Sequence, residues 1–229
     1  MPLPTALITG ASRGIGRATA LRLAGQYEIV ALARDASQLE ALASAVAAAG
    51  GRCRTIVADL RDGAATETAL AGLEADVVVN NAGVGFTKPL VELSPEEWHA
   101  MIDVNLNALY HVTRVVLPGM MQRRRGHVVI VGSIAGRSAF VGGSGYGATK
   151  HAVMGFAESL MLEVRDAGVR VSVVNPGSVN TEFSPKEGRD TSWMLRAEDV
   201  AESIAFALDA PAHVLLHRIE VRASAPKKG

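Results

Sequence analysis

Residues 144–150 read SGYGATK and place a phenol, Tyr146, four positions before an ammonium, Lys150, where a helix begins. Side chains at i and i+4 of a helix meet on one face. A phenol titrates near ~10, too high for a base at neutral pH. An ammonium about 4 Å away, at an effective dielectric of about 20, is worth up to ~4 kcal/mol, or about three pKa units. The pair could therefore exchange a proton near neutrality. Tyr and Lys at this spacing also arise by chance in many helices, so other residues have to decide.

Ser133 ends the run HVVIVGS. Its hydroxyl would emerge at the carboxyl edge of a sheet, where open α/β sheets bind ligands. Asn105 stands in MIDVNLNALYHV, a helical stretch otherwise apolar nearby. An amide there competes with backbone hydrogen bonds, so it is either functional or a satisfied buried group.

The first strand-like run closes in TGASRGIG, with Gly10, Ser12, Arg13, Gly14, Ile15 and Gly16. A glycine-rich turn from a first strand into a first helix lets backbone amides face a pyrophosphate at the helix N-terminus. The second strand ends in ALARD. An NAD site would have an acid at that end; here the position is Ala33 and Arg34 follows it. Arg13 and Arg34 together suit a 2′-phosphate, so the expected cofactor is NADP(H). Asp35 is the rival NAD-type acid, but Gln38 three residues on makes Asp35 a helix cap. Asp59, with Leu60 beside it, ends the third strand and could accept from an adenine amino group or cap the next helix.

These residues need a frame. Six apolar, Val/Ile-rich runs (TALITG, YEIVALA, CRTIVAD, DVVVN, GHVVIVGS and VRVSVVNPG) read as buried parallel strands, and RIEVRA as a last short one. Helical stretches alternate with them, the longest at about 95–125 and another at about 146–167. That order predicts a parallel sheet with helices on both faces. At 229 residues, 48% hydrophobic and 20% charged, the chain has the composition of a globular protein with a sizeable core.

Lys+Arg and Asp+Glu both number 23, which gives no broad basic face for nucleic acid or an anionic membrane. No apolar run is long enough to cross a membrane, and MPLPTALITG is not a signal peptide, so a cytoplasmic enzyme is expected. Cys53 stands alone, and the six histidines show no ligand spacing, so no metal site is expected.

TGASRGIG, the NNAG of residues 80–83, Ser133, YGATK at 146–150 and NPG at 175–177, in this order and at these spacings, resemble the short-chain dehydrogenase/reductase family. The resemblance implies one Rossmann-type, doubly wound parallel sheet of about seven strands. A single domain over residues 1–229 would carry both the cofactor and the catalytic groups. It implies Tyr146 as general acid/base, Lys150 as its tuner and ribose ligand, Ser133 on the substrate oxygen, and Asn105 holding a water that links the lysine to solvent. Asn81, Ala82 and Gly83 would lie against the cofactor, and Pro176, Gly177, Val179 and Thr181 beside the nicotinamide amide.

The implied activity is hydride transfer between NADP(H) and a small-molecule carbonyl or alcohol. The implied assembly is a homodimer or homotetramer through the helices at about 95–125 and 146–167. An NAD-dependent alcohol dehydrogenase and a non-catalytic NADP-binding regulator are the alternatives; a longer-chain epimerase has no room for its substrate domain in 229 residues. The stretch 182–195 should form a short lid. Phe183, Trp193, Met194, Phe86 and Phe140 either line an apolar substrate site or pack locally.

Overall fold

The computed structural model describes residues 2–183 and 190–225. Seven strands alternate with helices: β1 (Thr5–Thr9), α1 (Gly14–Leu23), β2 (Glu28–Ala33), α2 (Ala36–Ala48), β3 (Arg52–Val57), α3 (Gly63–Leu70) and β4 (Val77–Asn80). Then follow α4 (Pro95–Ile102), α5 (Ala108–Gln122), β5 (Gly126–Val131), α6 (Ser144–Val164), β6 (Val169–Pro176), α7 (Ala197–Asp209) and β7 (Arg218–Val221). They form one sheet in the order β3-β2-β1-β4-β5-β6-β7, with every pair parallel. This is the Rossmann-type α/β architecture.

Two cores sandwich the sheet. Leu7, Val78, Val128 and Val171 point to the face covered by α3, α5 and α6. Ala6, Ile8, Ile29 and Val79 point to the face covered by α1, α2 and α7. Burial on both faces explains why the central strands read as unbroken apolar runs rather than alternating ones. The edge strands differ from the sequence expectation. β3 and β7 alternate or lie open to solvent, and Val57 is 56% exposed, because each has a neighbour on one side only.

The strand order reverses between β1 and β4, each paired to the other, and their carboxyl ends open a crevice there. The long helix expected at 95–125 is not continuous. Residues Asp103–Asn107 form a π turn between α4 and α5, and Asn105 lies inside it. Such turns are frequent at functional sites.

His127, at the start of β5, is 2% exposed; its Nε2 shares a 2.8 Å hydrogen bond with Ser172 Oγ. Its Nδ1 has no partner among the described residues, and burial pulls its pKa down to about 3. Unfolding restores a value near 6.5, so below that pH the unfolded chain binds the extra proton and stability falls. Between pH 7 and pH 5 this should remove about 2 kcal/mol. Urea titrations of the wild type and His127→Gln at both pH values test this. An equal loss in the two proteins would refute it.

Candidate active site

The turn from β1 into α1 holds Gly10 at φ 63 and Gly14 at φ 52, left-handed positions that favour glycine. A Cβ on Gly16 would fall 2.3 Å from the Gly10 carbonyl oxygen, so Gly16 lets α1 start against the turn. It does this from below and does not line the cleft, unlike the other predicted loop residues. Arg13 stands at the N-cap of α1 with no side-chain cap, and the first turn carries no acid. The first amides of α1 are therefore left to an anion.

A second turn is stapled to the first. Asn81 and Ala82 amides both donate to Thr9 Oγ1 at 3.0 Å, and Asn81 Nδ2 donates to the Thr9 and Gly10 carbonyls at 2.9 and 3.2 Å. Asn81 thus shapes the glycine turn from behind, with Ala82 and Gly83 on the cleft wall beside it.

At the far end of the cleft lie Arg13, Arg34, Asp59 and a residue the sequence reading passed over, Arg61. Arg61 Nε lies 3.1 and 3.0 Å from the two Asp59 oxygens and its amide donates to Oδ1 at 3.0 Å; Arg34 Nη1 is 4.0 Å from Oδ2. The Arg61 guanidinium holds the Asp59 carboxyl below the usual carboxylate range. Asp59 does not cap α3. Asp62 does, accepting from the Ala65 amide at 2.9 Å. The signal for Arg61 was its place two residues after an Asp, where a carboxylate bonds the chain ahead of it. Asp35 caps α2, accepting from the Gln38 amide at 3.0 Å, while Gln38 Nε2 donates to its other carboxylate oxygen at 2.8 Å in place of the reciprocal backbone bond of a capping box, so both oxygens are engaged. Three guanidiniums and no free acid fit a 2′-phosphate.

The opposite end gathers Ser133, Tyr146 and Lys150. Ser133 follows β5, and its amide donates to Asn175 Oδ1 at 3.1 Å. Asn175 is fully buried in β6 and fixes the serine from the next strand, a role its place in NPG did not announce. The Ser133 hydroxyl accepts from the Ala135 amide at 3.1 Å, and Ser133 shares the cleft wall with Tyr146. Tyr146 and Lys150 lie one turn apart on α6, with the ammonium 5.8 Å from the ring centroid. The Phe183 ring meets the tyrosine ring edge-on at 5.9 Å.

Electrostatically the pair differs from the sequence argument. Burial pushes the Tyr146 phenol above its ordinary 10, and the Ser133 hydroxyl offsets this only in part. Burial pulls the Lys150 ammonium down to about 8; its Nζ donates to the Val131 carbonyl at 3.0 Å. Desolvation, which disfavours both charged forms, outweighs the charge attraction that the spacing suggested.

Asn105 faces neither the cleft nor the phenol. Its Oδ1 accepts from the Val84 amide at 2.8 Å, and its Nδ2 donates to the Val84 carbonyl at 2.9 Å and Thr149 Oγ1 at 3.0 Å. It ties the 84 loop to α6. Asn105 and Lys150 do share the wall of a small internal cavity of about 10 Å³, close to the space one water needs.

The main cleft has a volume of about 1110 Å³. It brings together Ser12, Arg13, Ile15, Arg34, Leu60, Ser133, Tyr146, Lys150, Pro176, Gly177, Val179 and Thr181. Phe140, Phe183 and Met194 also line it, whereas Trp193 donates to the Asp190 carbonyl and, like Phe86, is not on the wall. Residues 184–189 of the expected lid lie outside the described residues.

The model of the short chain dehydrogenase family matches residues 4–192. The chain is 36% identical to an NADP-dependent 3-hydroxy acid dehydrogenase of Salmonella typhi, covering 94% of this chain and 93% of the relative. A metagenomic short-chain oxidoreductase solved with NADP superposes with a TM-score of 0.86 at 34% identity, covering 97% of this chain and 98% of the other. A serine dehydrogenase in its closed form with NADP+ superposes at 0.88 with 34% identity, covering 95% and 94%.

Proposed function

Because the chain belongs to the short-chain dehydrogenase family and is an NADP-dependent oxidoreductase, we propose that it moves a hydride between NADP(H) and a carbonyl or secondary alcohol of a small molecule. The observation that carries this is the placing of Ser133, Tyr146 and Lys150 on the wall of the same cleft as the glycine turn. Bound NADPH supplies the hydride; the residues of the chain do the rest.

Ser133 holds the substrate oxygen, and Tyr146, kept protonated by burial, gives that oxygen its proton in reduction. Lys150 holds the nicotinamide ribose and steadies the phenolate left behind. A water in the small cavity beside Asn105 returns the proton by way of Lys150. Gly10, Ser12, Gly14 and Ile15 take the pyrophosphate at the start of α1. Asn81, Ala82 and Gly83 would lie against the cofactor beside the glycine turn, Pro176, Gly177, Val179 and Thr181 beside its nicotinamide, and Leu60 and Asp59 beside its adenine. Reduction with NADPH deuterated at C4 in each configuration tests the transfer. Deuterium at the product carbinol carbon is expected from one of the two; its absence from both would refute direct transfer.

Arg13 and Arg34 give the preference for NADPH. Arg34 is 61% exposed, so solvent weakens its contact, and Arg34→Ala should cost about 1.5 kcal/mol of NADPH affinity, the low end for a bond to a charged group. NADH affinity should change little. Fluorescence titration checks this, and equal NADPH and NADH affinity in the wild type would overturn the assignment.

The same reading makes the protein a cytoplasmic, single-domain homo-oligomer associating through the α4–α5 and α6 helices. Tyr110 on α5 and Leu162 on α6, 48% and 54% exposed, supply apolar surface there. No described helix is long and apolar enough to cross a membrane.

A further inference from the structure

The three guanidiniums at the far end of the cleft are not equivalent. Arg34 follows β2 and Asp59 follows β3, and these strands run parallel with Ala33 opposite Val57. Both residues therefore leave the sheet at neighbouring carboxyl ends. There Arg34 Nη1 stands 4.0 Å from Asp59 Oδ2, near enough to attract and too far to hydrogen-bond. Arg61 holds the same carboxylate. Its Nε and Nη2 lie 3.0 and 2.5 Å from Oδ2, and its amide donates to Oδ1. The Asp62 amide closes this turn on the Asp59 carbonyl at 3.0 Å. Arg61 is thus fastened to Asp59 by its own turn, while Arg34 stays without a hydrogen bond to that carboxylate.

The charges at this end are finely balanced. Among the described residues, Arg13, Arg34 and Arg61 line it with two carboxylates, Asp35 and Asp59, and without Arg61 the two signs are equal. Asp35 is occupied by Ser37 and Gln38 as the cap of α2. Asp59 is occupied by Arg61. A 2′-phosphate brings about −1.5 to −2 of charge. With Arg61 gone, Asp59 would draw Arg34 to itself and repel the phosphate. NADH, with a hydroxyl in that place, would feel little of either.

Resting on the NADP(H) site assigned above, we infer that Arg61 selects NADPH over NADH by acting through Asp59: it neutralises that carboxylate and so keeps Arg34 for the 2′-phosphate. Arg61 is a positioning residue in this role and not itself a phosphate ligand.

The test titrates NADPH and NADH by fluorescence into the wild type, Arg61→Gln and the double variant Arg61→Gln/Asp59→Asn, and reads the ratio of the two affinities. The ratio cancels whatever residue 59 gives the adenine, which both cofactors share. The turn survives these changes, because Asn keeps an Oδ1 for the amide of residue 61 and α3 is capped by Asp62. Arg61→Gln should lower the NADPH-over-NADH ratio about three- to tenfold, through NADPH, and by less than Arg34→Ala does, since Arg61 works through Arg34. The double variant has lost one charge of each sign and should return the ratio to within about twofold of the wild type. An unchanged ratio in Arg61→Gln, or a double variant as low as the single one, would overturn the inference and leave NADPH binding by Arg13 and Arg34 standing. Equal affinity of the wild type for the two cofactors would overturn the NADP(H) assignment with it.

Discussion

Tyr146→Phe should lower kcat by about 10²–10⁴-fold and leave NADPH affinity within about twofold, since general acid–base catalysis is worth that span. The geometry makes this substitution clean. The ring of Tyr146 rests edge-on against Phe183, and a Cβ on Gly85 would come within 3.1 Å of it, so a phenyl ring keeps the packing. Only the hydroxyl is lost. Because burial already raises the phenol, the group removed is a loaded proton donor, and the carbonyl-reducing direction should suffer most. Single-turnover reduction with NADPH in excess separates this from cofactor binding. A variant that kept more than about half of kcat would move the acid/base role to another residue.

The spacing of strands and helices was legible because two buried faces force a Val/Ile run wherever a central strand passes, as at Val77–Asn80. The cofactor end was legible where local chemistry decides, as in the capping of α2 by Asp35 through Gln38. What escaped needed distant partners. Nothing near Asn175 in the chain shows that its Oδ1 receives the Ser133 amide from the end of the neighbouring strand. Nothing near Asn105 shows that Val84 and Thr149 use its amide, or that the helix around it winds into a π turn. The sign of the Tyr146 shift also escaped. Spacing reports which charges can meet, while desolvation depends on the whole fold above the site.

Lys150→Met should make the cofactor-free protein more stable at pH 7 while destroying most of its activity. The ammonium is 6% exposed, donates to the Val131 carbonyl, and titrates at about 8 rather than 10.5. Holding it charged at pH 7 costs on the order of 3 kcal/mol. The methionine fills similar space with an apolar chain and forgoes the Val131 bond, about 1 kcal/mol. The net gain should be about 2 kcal/mol at pH 7. The pH dependence carries the sign. Below the folded value of about 8 both folded and unfolded chains hold the lysine proton, and stability is flat through this group. Between there and 10.5 the folded chain has lost the proton and the unfolded chain keeps it, so the wild type gains stability as pH rises. The advantage of the methionine variant should therefore shrink toward zero by about pH 9.5. In the alcohol-oxidising direction the acidic limb of kcat/KM should move to higher pH, because a phenol without its ammonium neighbour holds its proton more tightly. NADPH affinity should fall as well, through the lost ribose contacts. Guanidinium unfolding at pH 7 and 9.5, beside the two rate profiles, measures all of this. A methionine variant no more stable than the wild type at pH 7, with its rate profile unmoved, would show that Lys150 is neither a buried ammonium nor the group that tunes Tyr146.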